Sequence, residues 1–196
     1  MLKIIVATSN EHKINELKNM LNNKVELVSL KDAGILVDPE ENGTTYAENA
    51  FIKANAVSKF TTLPVLSDDS GIEIEDLGEH VPGIYSHRYA LENGGQEALN
   101  EKIVKTCAGS NATFVAHFVL LNLHPNERLD FEGTMRGHIN TKVEGANGFG
   151  YDPIFVPTGF TKSVSTFSPE EKNKISHRFH ACQKLLEYLE QNNYLN

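Results

Sequence analysis

The chain has 196 residues, 40% hydrophobic and 22% charged, and its 18 basic and 26 acidic side chains give a formal net charge of −8. These values are ordinary for a globular protein and exclude wholesale disorder, so we predict a single domain over residues 1–196. The acidic balance, with a pI near 5.5, argues against a protein that coats DNA or RNA, although a few cations could still hold a small anionic ligand.

The excess of negative charge lies in one stretch of the chain. Residues 38–79 contain ten carboxylates and two lysines, and acids and bases balance in the remaining residues. Carboxylate density of this kind indicates either a solvated surface or a cation site. Both interpretations stay open until the motifs are considered.

Neither a membrane segment nor a disulfide is expected. The longest apolar run, residues 118–121, is far too short to cross a bilayer. The N-terminal segment, residues 1–7, is too short for the hydrophobic region of a signal sequence. Cys107 and Cys182 lie far apart without a Cys-x-x-Cys motif, which favours buried reduced thiols. We therefore expect a cytoplasmic protein.

The chain opens in the order typical of an α/β fold. Residues 2–8 are β-branched and apolar, which predicts a buried strand. Ser9 and Asn10 are helix-capping types, and apolar residues follow at helical spacing until a second predicted strand at residues 25–30. Strand, helix and strand in this order favour a sheet flanked by helices.

A second helix and a short strand come next. Thr45 and Glu48 have the spacing of a capping box, and Lys53 lies off the apolar stripe of the helix that they begin. Residues 64–67 are predicted as a short strand that runs into Asp68-Asp69-Ser70-Gly71. Taken alone, those four residues are most typical of a turn.

The second half of the chain continues the mixed pattern. We predict a helix, two long strands that pair as an antiparallel hairpin, and a short strand, at residues 95–107, 112–123, 128–140 and 153–156. Ser168-Pro169-Glu170-Glu171 begins a C-terminal helix. Ser176 offers a second cap, so one helix or two remain open. The expected fold is a mixed β-sheet flanked by helices.

Residues 8–13, Thr-Ser-Asn-Glu-His-Lys, stand where the first strand passes into the first helix. Amide N–H groups and the helix dipole attract anions at such a position, and Lys13 lies one turn in, where its ammonium could reach a phosphate. The segment lacks the glycines of a Walker A loop. The alternative is an ordinary capped helix with a surface lysine.

The carboxylates near residues 40 and 69 suggest a magnesium site. Because adjacent strand residues point to opposite faces, only one of Asp68 and Asp69 is expected to serve one site. Mg²⁺ takes one or two protein carboxylates and completes its coordination with water and substrate phosphates. One glutamate of the pair Glu40 and Glu41 together with one aspartate would meet that need, and a carboxylate could also act as general base for water.

Two later segments could recognise a planar base. Residues 147–152, Asn-Gly-Phe-Gly-Tyr-Asp, place two aromatic side chains among glycines, where a ring can stack on a base. His177 and Arg178 are adjacent hydrogen-bond donors, and such donors can read a carbonyl oxygen on a base edge. The alternatives are an aromatic that fills the core and polar residues on a helix surface.

In their order along the chain, these segments resemble the Ham1-like inosine/xanthosine triphosphate pyrophosphatases. The resemblance rests on six blocks that span residues 8–178: Thr8-Ser9-Asn10-x-x-Lys13, Glu48-Asn49-Ala50-x-x-Lys53-Ala54, Asp68-Asp69-Ser70-Gly71, Pro82-Gly83-Ile84-Tyr85-Ser86-x-Arg88-Tyr89, Gly148-Phe149-Gly150-Tyr151-Asp152-Pro153-Ile154-Phe155 and Lys172-x-x-Ile175-Ser176-His177-Arg178.

The resemblance implies a fold and an activity. Proteins similar to this one have a long mixed sheet flanked by helices, with two lobes that enclose a nucleotide-binding cleft, and are homodimers. The implied reaction is Mg²⁺-dependent hydrolysis of ITP, dITP and XTP to the monophosphate and pyrophosphate, with no nucleic acid polymer as partner. The alternatives are a pyrophosphatase with another base preference and a nucleotide-binding regulator without catalysis.

The resemblance also assigns roles to single residues. Asp69 matches the proton acceptor and a metal ligand, and Glu40 is the expected second metal position, although the register could slip to Glu41. The positions that match substrate-binding residues are Thr8, Ser9, Asn10, Glu11, His12, Lys13, Lys53, Ser70, Phe149, Gly150, Tyr151, Asp152, Lys172, His177 and Arg178.

Overall fold

The fold is taken from a computed structural model, which describes residues 1–21 and 24–195. Six strands of the described residues form a single sheet in the order β2-β1-β3-β4-β5-β6. Their bounds are β1 Leu2–Val6, β2 Val25–Ser29, β3 Val65–Ile74, β4 Asn111–Leu121, β5 Arg128–Ile139 and β6 Phe155–Pro157. β1 is parallel to β2 and to β3, whereas β5 and β6 are antiparallel. The predicted mixed sheet is confirmed.

Helices flank this sheet, as predicted. The α-helices are α1 Glu11–Leu21, α2 Tyr46–Ser58, α3 Ser86–Glu92, α4 Gln96–Cys107, α5 Pro169–Lys172 and α6 His177–Gln191. In the part of the chain that the structure describes, four 3-10 turns lie between these elements, at Glu75–Leu77, Gly83–Tyr85, Asp152–Ile154 and Val164–Thr166. In the described ranges, no helix has both the length and the apolar content that a bilayer crossing demands.

The chain divides into two compact units. The first unit consists of Met1–Asp69, Ala116–Gly133 and Arg178–Asn196, and the second of Ser70–Val115 and Thr134–His177. The expectation of a single domain stays a prediction.

The first unit is layered because successive side chains of its strands point to opposite faces of the sheet. Ile4 and Val6 of β1 pack in one cluster with α1 and α6, whereas Ile5 packs in a second cluster with α2. Because successive side chains of a strand point to opposite faces, each sheet face has its own helices. On β3, Leu66 belongs to the face of α1 and α6, and Val65 to the face of α2.

The second unit has its own core. Ile72 and Ile74 of β3 pack there with Leu99 and Ile103 of α4. Phe114, Met135 and Phe155 complete this core from the later strands. Both cysteines are free and buried, one in each unit, which confirms the expected reduced thiols.

The prediction of a turn at Asp68-Asp69-Ser70-Gly71 is wrong. These residues lie inside β3, which runs without a break from Val65 to Ile74. The composition is typical of a turn, but Asp68 and Asp69 are buried at 1% and 5% exposure, and ion pairs bind one oxygen of each carboxylate in place of water. Tertiary contacts therefore override the local preference.

The structure settles two further points about helices. Ser168 and Glu171 form the predicted capping box of α5, and that helix ends at Lys172, so Ser176 stands directly before a second helix, α6. Helix α3 is not among the predicted elements, because the segment before it contains Gly78, Pro82 and Gly83, residue types that favour loops.

Candidate functional site

At the junction between β1 and α1, side chains of the segment accept hydrogen bonds from the free backbone amides of the helix start. Thr8 Oγ1 accepts the amide N–H of Asn10 at 3.1 Å, and Asn10 Oδ1 accepts the amides of His12 and Lys13 at 3.0 and 3.3 Å. This is the arrangement of an N-cap residue, so α1 begins as an ordinary capped helix. Four predicted residues of the segment are exposed, namely Ser9, Asn10, Glu11 and His12.

Lys13 is not the surface lysine that the capped-helix alternative implies. Its side chain is 14% exposed, and Nζ lies 3.5 Å from the Asp68 Oδ2 atom and 3.5 Å from the Asp68 backbone oxygen. Burial lowers the pKa of Lys13 below its ordinary value, against the opposing effect of the Asp68 carboxylate. An anionic ligand beside this partly dehydrated ammonium would stabilise its charge.

Lys53 of α2 reaches the same part of β3. Its Nζ donates to the Asp68 backbone oxygen at 2.8 Å and to Asp69 Oδ1 at 3.0 Å, and it lies 3.3 Å from Glu41 Oε1. Burial opposes the charged form, but the nearby carboxylates outweigh it and raise the pKa of Lys53. Lys53 therefore lies off the apolar stripe of α2 because it forms ion pairs with Glu41 and Asp69.

Asp68 and Asp69 face opposite sides of the sheet, as strand alternation predicts. Asp68 lies on the face of α1 and α6, where Arg178 Nε donates to Oδ2 at 2.8 Å. Asp69 lies on the face of α2, where Lys53 binds it. Although burial works against ionisation, Arg178 and Lys13 hold the pKa of Asp68 well below its usual range.

Among the residues that the structure describes, one carboxylate oxygen of Asp69 is buried without a hydrogen-bond partner, as is Oδ1 of Asp68. Oδ1 of Asp69 is bound by Lys53, whereas the buried Oδ2 has no hydrogen-bond partner within the described ranges. Burial raises the pKa of Asp69, with Lys53 and Lys13 opposing the shift. A buried carboxylate oxygen without a partner is costly, and a ligand supplied from solution would remove that cost.

Arg178 joins α6 to both β3 and α1. It is 1% exposed, and Nη1 lies 2.5 Å from Glu16 Oε2 while Nε binds Asp68. The two carboxylates outweigh burial and raise the pKa of Arg178 further above its ordinary value. The alternative of a polar helix surface is wrong for Arg178, because its guanidinium is enclosed between two carboxylates.

The acidic loop brings Glu41 to this cluster. Glu41 lies beside Lys53, which in turn binds Asp69, while Glu40 is an exposed residue of the same loop. The geometry therefore favours the slipped register over Glu40 for the second metal position, and the choice of glutamate stays a prediction.

The carboxylates of Asp69 and of the pair Glu40 and Glu41 fit Mg²⁺ better than a metal that needs several protein ligands. In residues 1–21 and 24–195, no group of three or more His, Cys, Asp and Glu side chains could hold a metal ion. Magnesium needs only one or two carboxylates, since water and phosphate oxygens complete its shell. The unpartnered Asp69 Oδ2 atom could supply one such ligand.

A second cluster, in the second unit, is built on residues 147–152. Asp152 Oδ2 accepts the Phe149 amide at 3.0 Å and the Lys172 ammonium at 2.6 Å, with both charged side chains almost fully buried. The loop is also held from α4, because Asn100 Nδ2 donates to the Gly150 oxygen at 3.0 Å. The predicted residues Phe149, Gly150, Asp152 and Lys172 therefore lie together.

Two aromatic residues of this loop have different environments. Lys172 Nζ lies 4.8 Å from the centre of the Phe149 ring, within cation–π range, and Phe149 is half-buried. Tyr151 is buried, and its hydroxyl donates to the Ser86 backbone oxygen at 2.6 Å. The core-filling alternative thus holds for Tyr151, whereas Phe149 remains the candidate for stacking.

Replacing Gly148 by alanine is expected to destabilise this loop more than replacing Gly150. Both glycines have positive φ, +77° and +65°, so each alanine costs about 1–2 kcal/mol of backbone strain. A Cβ on Gly148 would also stand 2.0 Å from Asp152 Oδ2, whereas one on Gly150 meets nothing within 4 Å. We expect Gly148→Ala to cost about 1–3 kcal/mol more. Urea denaturation measures both, and equal losses would contradict the crowding argument.

His177 and Ser70 are the remaining residues predicted for the site. His177 begins α6 and is buried at 4% exposure, so the helix-surface alternative is wrong for it as well. Ser70 follows Asp69 on β3 and is half-buried. Sequence interpretation missed Glu16, whose only signal is its spacing of one turn after Lys13, and it assigned no role to Asp68.

Comparison with known proteins gives a consistent result. A profile described as the Ham1 family matches residues 4–188. A dITP/XTP pyrophosphatase of Caldanaerobacter subterraneus subsp. tengcongensis is 43% identical over 194 residues, which cover 96% of each chain. A protein of the same name from Thermoanaerobacter pseudethanolicus is 40% identical over 193 residues, again 96% of each.

Solved structures agree with the sequence matches. The Ham1 protein of Staphylococcus aureus superposes with a TM-score of 0.82 at 36% identity, covering 97% of this chain and 99% of that one. A HAM1 protein from Coxiella burnetii gives a TM-score of 0.84 at 34% identity, covering 97% and 100%. The sheet and its helices are therefore shared with these proteins along nearly their whole length.

Proposed function

The chain belongs to the Ham1 family, and from that premise we propose that it is a nucleoside-triphosphate pyrophosphatase acting on non-canonical purine nucleotides. The substrates in this proposal are ITP, dITP and XTP, and the products are the monophosphate and pyrophosphate. The structural observation that carries it is the convergence of Lys13 and Lys53 on Asp68 and Asp69, with one buried oxygen of Asp69 left without a partner.

The two lysines suit a triphosphate. Each is largely buried and held by carboxylates or backbone oxygens of β3, so each ammonium is positioned before a ligand arrives. Charge that develops on phosphate oxygens in the transition state is best stabilised by such preorganised cations. Lys13 and Lys53 therefore orient the phosphates and neutralise the departing pyrophosphate.

The carboxylates suit a magnesium ion and a water molecule. Asp69 and a glutamate of the pair Glu40 and Glu41 would hold Mg²⁺, which when bound neutralises phosphate charge and lowers the pKa of coordinated water. Asp69 orients the attacking water and takes its proton, and attack at the α-phosphorus releases pyrophosphate. Asp68, already bound by Arg178 and Lys13, keeps this segment of β3 in place.

The loop cluster of the second unit suits the base. Phe149 stacks on the purine, and His177 donates to its 6-oxo oxygen. A site built to hydrogen-bond an oxygen penalises the 6-amino group of adenine heavily, because the donors are then left unpaired. We assign Arg178 an indirect part, through Asp68 and Glu16, because its guanidinium already binds both carboxylates.

A panel of nucleotides with Mg²⁺ tests the proposal. ITP, dITP, XTP, GTP, ATP and pyrimidine triphosphates are incubated with the protein, and the monophosphate, pyrophosphate and orthophosphate are each quantified. We expect kcat/KM for ITP, dITP and XTP to exceed that for ATP by about a hundredfold or more. Release of orthophosphate would contradict attack at the α-phosphorus.

The same panel separates the alternatives. A faster reaction with a modified pyrimidine triphosphate would favour a pyrophosphatase of different base preference. Tight nucleotide binding without any pyrophosphate would favour a regulator without catalysis. The presence of Lys13, Lys53 and the Asp69 carboxylate together supports an enzyme, since a carboxylate beside the phosphates can act as a general base for water.

We further propose that the protein works in the cytoplasm as a homodimer. The family resemblance supports this assembly, and light scattering coupled to gel filtration measures it directly. A mass of one chain, 21.8 kDa, at the concentrations used for the assay would contradict the dimer.

A further inference from the structure

His177 is packed face to face against a second ring, that of Phe114. The ring centroids are 4.9 Å apart and the planes differ by 12°. Phe114 lies on β4 and is 7% exposed, and His177 is the first residue of α6. The two residues therefore join a strand of the second unit's core to the start of the last helix.

Phe114 is itself held in place by another aromatic ring. Phe155, at the start of β6, meets it edge-on with centroids 4.7 Å apart and an interplanar angle of 62°. Phe155 is fully buried in the same core. Offset-stacked and edge-to-face pairs at these separations are the favoured aromatic geometries. The plane of Phe114 is thus fixed by the core rather than by His177.

A fixed neighbour of this kind restricts the imidazole. The helix start determines the backbone of His177, and the buried ring packs flat against Phe114. Stacking on Phe114 confines the ring to one plane, and both ring nitrogens point within that plane. Because hydrogen bonds weaken steeply as they depart from linearity, a donor discriminates between bases only when its direction is fixed.

We infer that Phe114 is a positioning residue for base recognition, which holds the imidazole plane of His177 so that its N–H meets the 6-oxo oxygen of the purine. The inference rests on the proposed function, in which His177 reads the base. Phe114 occupies a buried strand position, and an aliphatic side chain there would offer the imidazole no flat face to stack on.

Phe114→Leu tests the inference, with Phe131→Leu as its matched control. Phe131 is also a buried strand phenylalanine, at 9% exposure, and packs edge-on against Tyr188 in the first unit. We expect Phe114→Leu to lower the ratio of kcat/KM for ITP to that for ATP by about three- to tenfold, as for one misaligned hydrogen bond. Phe131→Leu should change the ratio less than twofold, and equal ratios in the two variants would overturn the inference.

A double variant separates positioning from general damage. If Phe114 acts through His177, then Phe114→Leu lowers the ratio no further in a His177→Gln background. A full additional loss in the double variant would overturn the proposed link between the two residues. Phe114→Tyr keeps the flat face and is expected to retain the wild-type ratio.

A spectroscopic measurement on the wild-type protein tests the stack without any assay of turnover. In the proton NMR spectrum, stacking on Phe114 is expected to shift the imidazole signals of His177 upfield. These signals are identified by their absence from the spectrum of His177→Gln. Unshifted signals would overturn the inference even if Phe114→Leu fails to fold. If the stack is present but ITP is not hydrolysed, the proposed function fails instead. If ITP is hydrolysed with a ratio that Phe114→Leu leaves unchanged, the inference alone fails.

Discussion

Asp69→Asn is expected to lower kcat for ITP in the presence of Mg²⁺ by about a thousandfold, within the range for the loss of a general base. Asparagine keeps the shape of the side chain but cannot take a proton and is a weaker ligand for Mg²⁺. The amide retains an oxygen for Lys53, which now binds Oδ1 at 3.0 Å, so the variant is expected to fold. Steady-state release of pyrophosphate measures the loss.

Asp76→Asn is the control for this prediction. Asp76 belongs to the same acidic stretch of residues 38–79 but is exposed, so we expect its substitution to leave kcat within twofold. The pair therefore tests whether the concentrated negative charge acts as a whole or through Asp69. Near-normal turnover by Asp69→Asn, or a comparable loss in Asp76→Asn, would remove Asp69 from the mechanism.

Most of the fold could be predicted because its signals are local. The apolar run of β1 and the capping box of α5 are specified by residues a few positions apart, and the structure has both. The strand conformation of residues 68–71 could not be predicted from neighbouring residues. The composition of this segment is that of a turn, and it remains strand because Arg178, 110 positions further along the chain, binds Asp68.

The candidate site divides in the same way. Strand alternation showed that Asp68 and Asp69 face opposite sides, and the structure adds which helix stands on each side. The only signal of Glu16 was its spacing of one turn after Lys13, and a glutamate on a helix is unremarkable until an arginine from α6 is placed against it. The unbalanced charge of residues 38–79 likewise pointed to candidate metal ligands, but composition alone does not distinguish Asp69 and Glu41, which lie beside Lys53, from the other carboxylates of the stretch.

Arg178→Met is expected to destabilise the protein by about 3–5 kcal/mol, the usual cost of removing one partner of a buried ion pair. The guanidinium binds Asp68, whose side chain is completely buried, and Glu16, whose side chain is 13% exposed. Methionine would fill much of the space but leave both carboxylates without their shared cation. For a chain of this length the loss corresponds to a fall in Tm of about 10 °C.

Arg136→Met is the control, because Arg136 is exposed and surface substitutions usually change stability by less than about 0.5 kcal/mol. Urea denaturation compares the two variants with the wild-type protein. A loss below about 1 kcal/mol in Arg178→Met would show that the buried carboxylates do not depend on it.

The double variant Arg178→Met/Asp68→Asn identifies the source of the cost. Asparagine removes the buried negative charge that Arg178 would otherwise neutralise, so the double variant is expected to be more stable than the sum of the two single losses predicts. Lys13 also binds Asp68, and Glu16 still loses its partner, so the recovery is expected to be partial. Strict additivity would mean that Arg178 does not stabilise the fold through the charge of Asp68. A positive coupling would show that the charge of Asp68, in the middle of a strand, is tolerated because an arginine on α6 neutralises it.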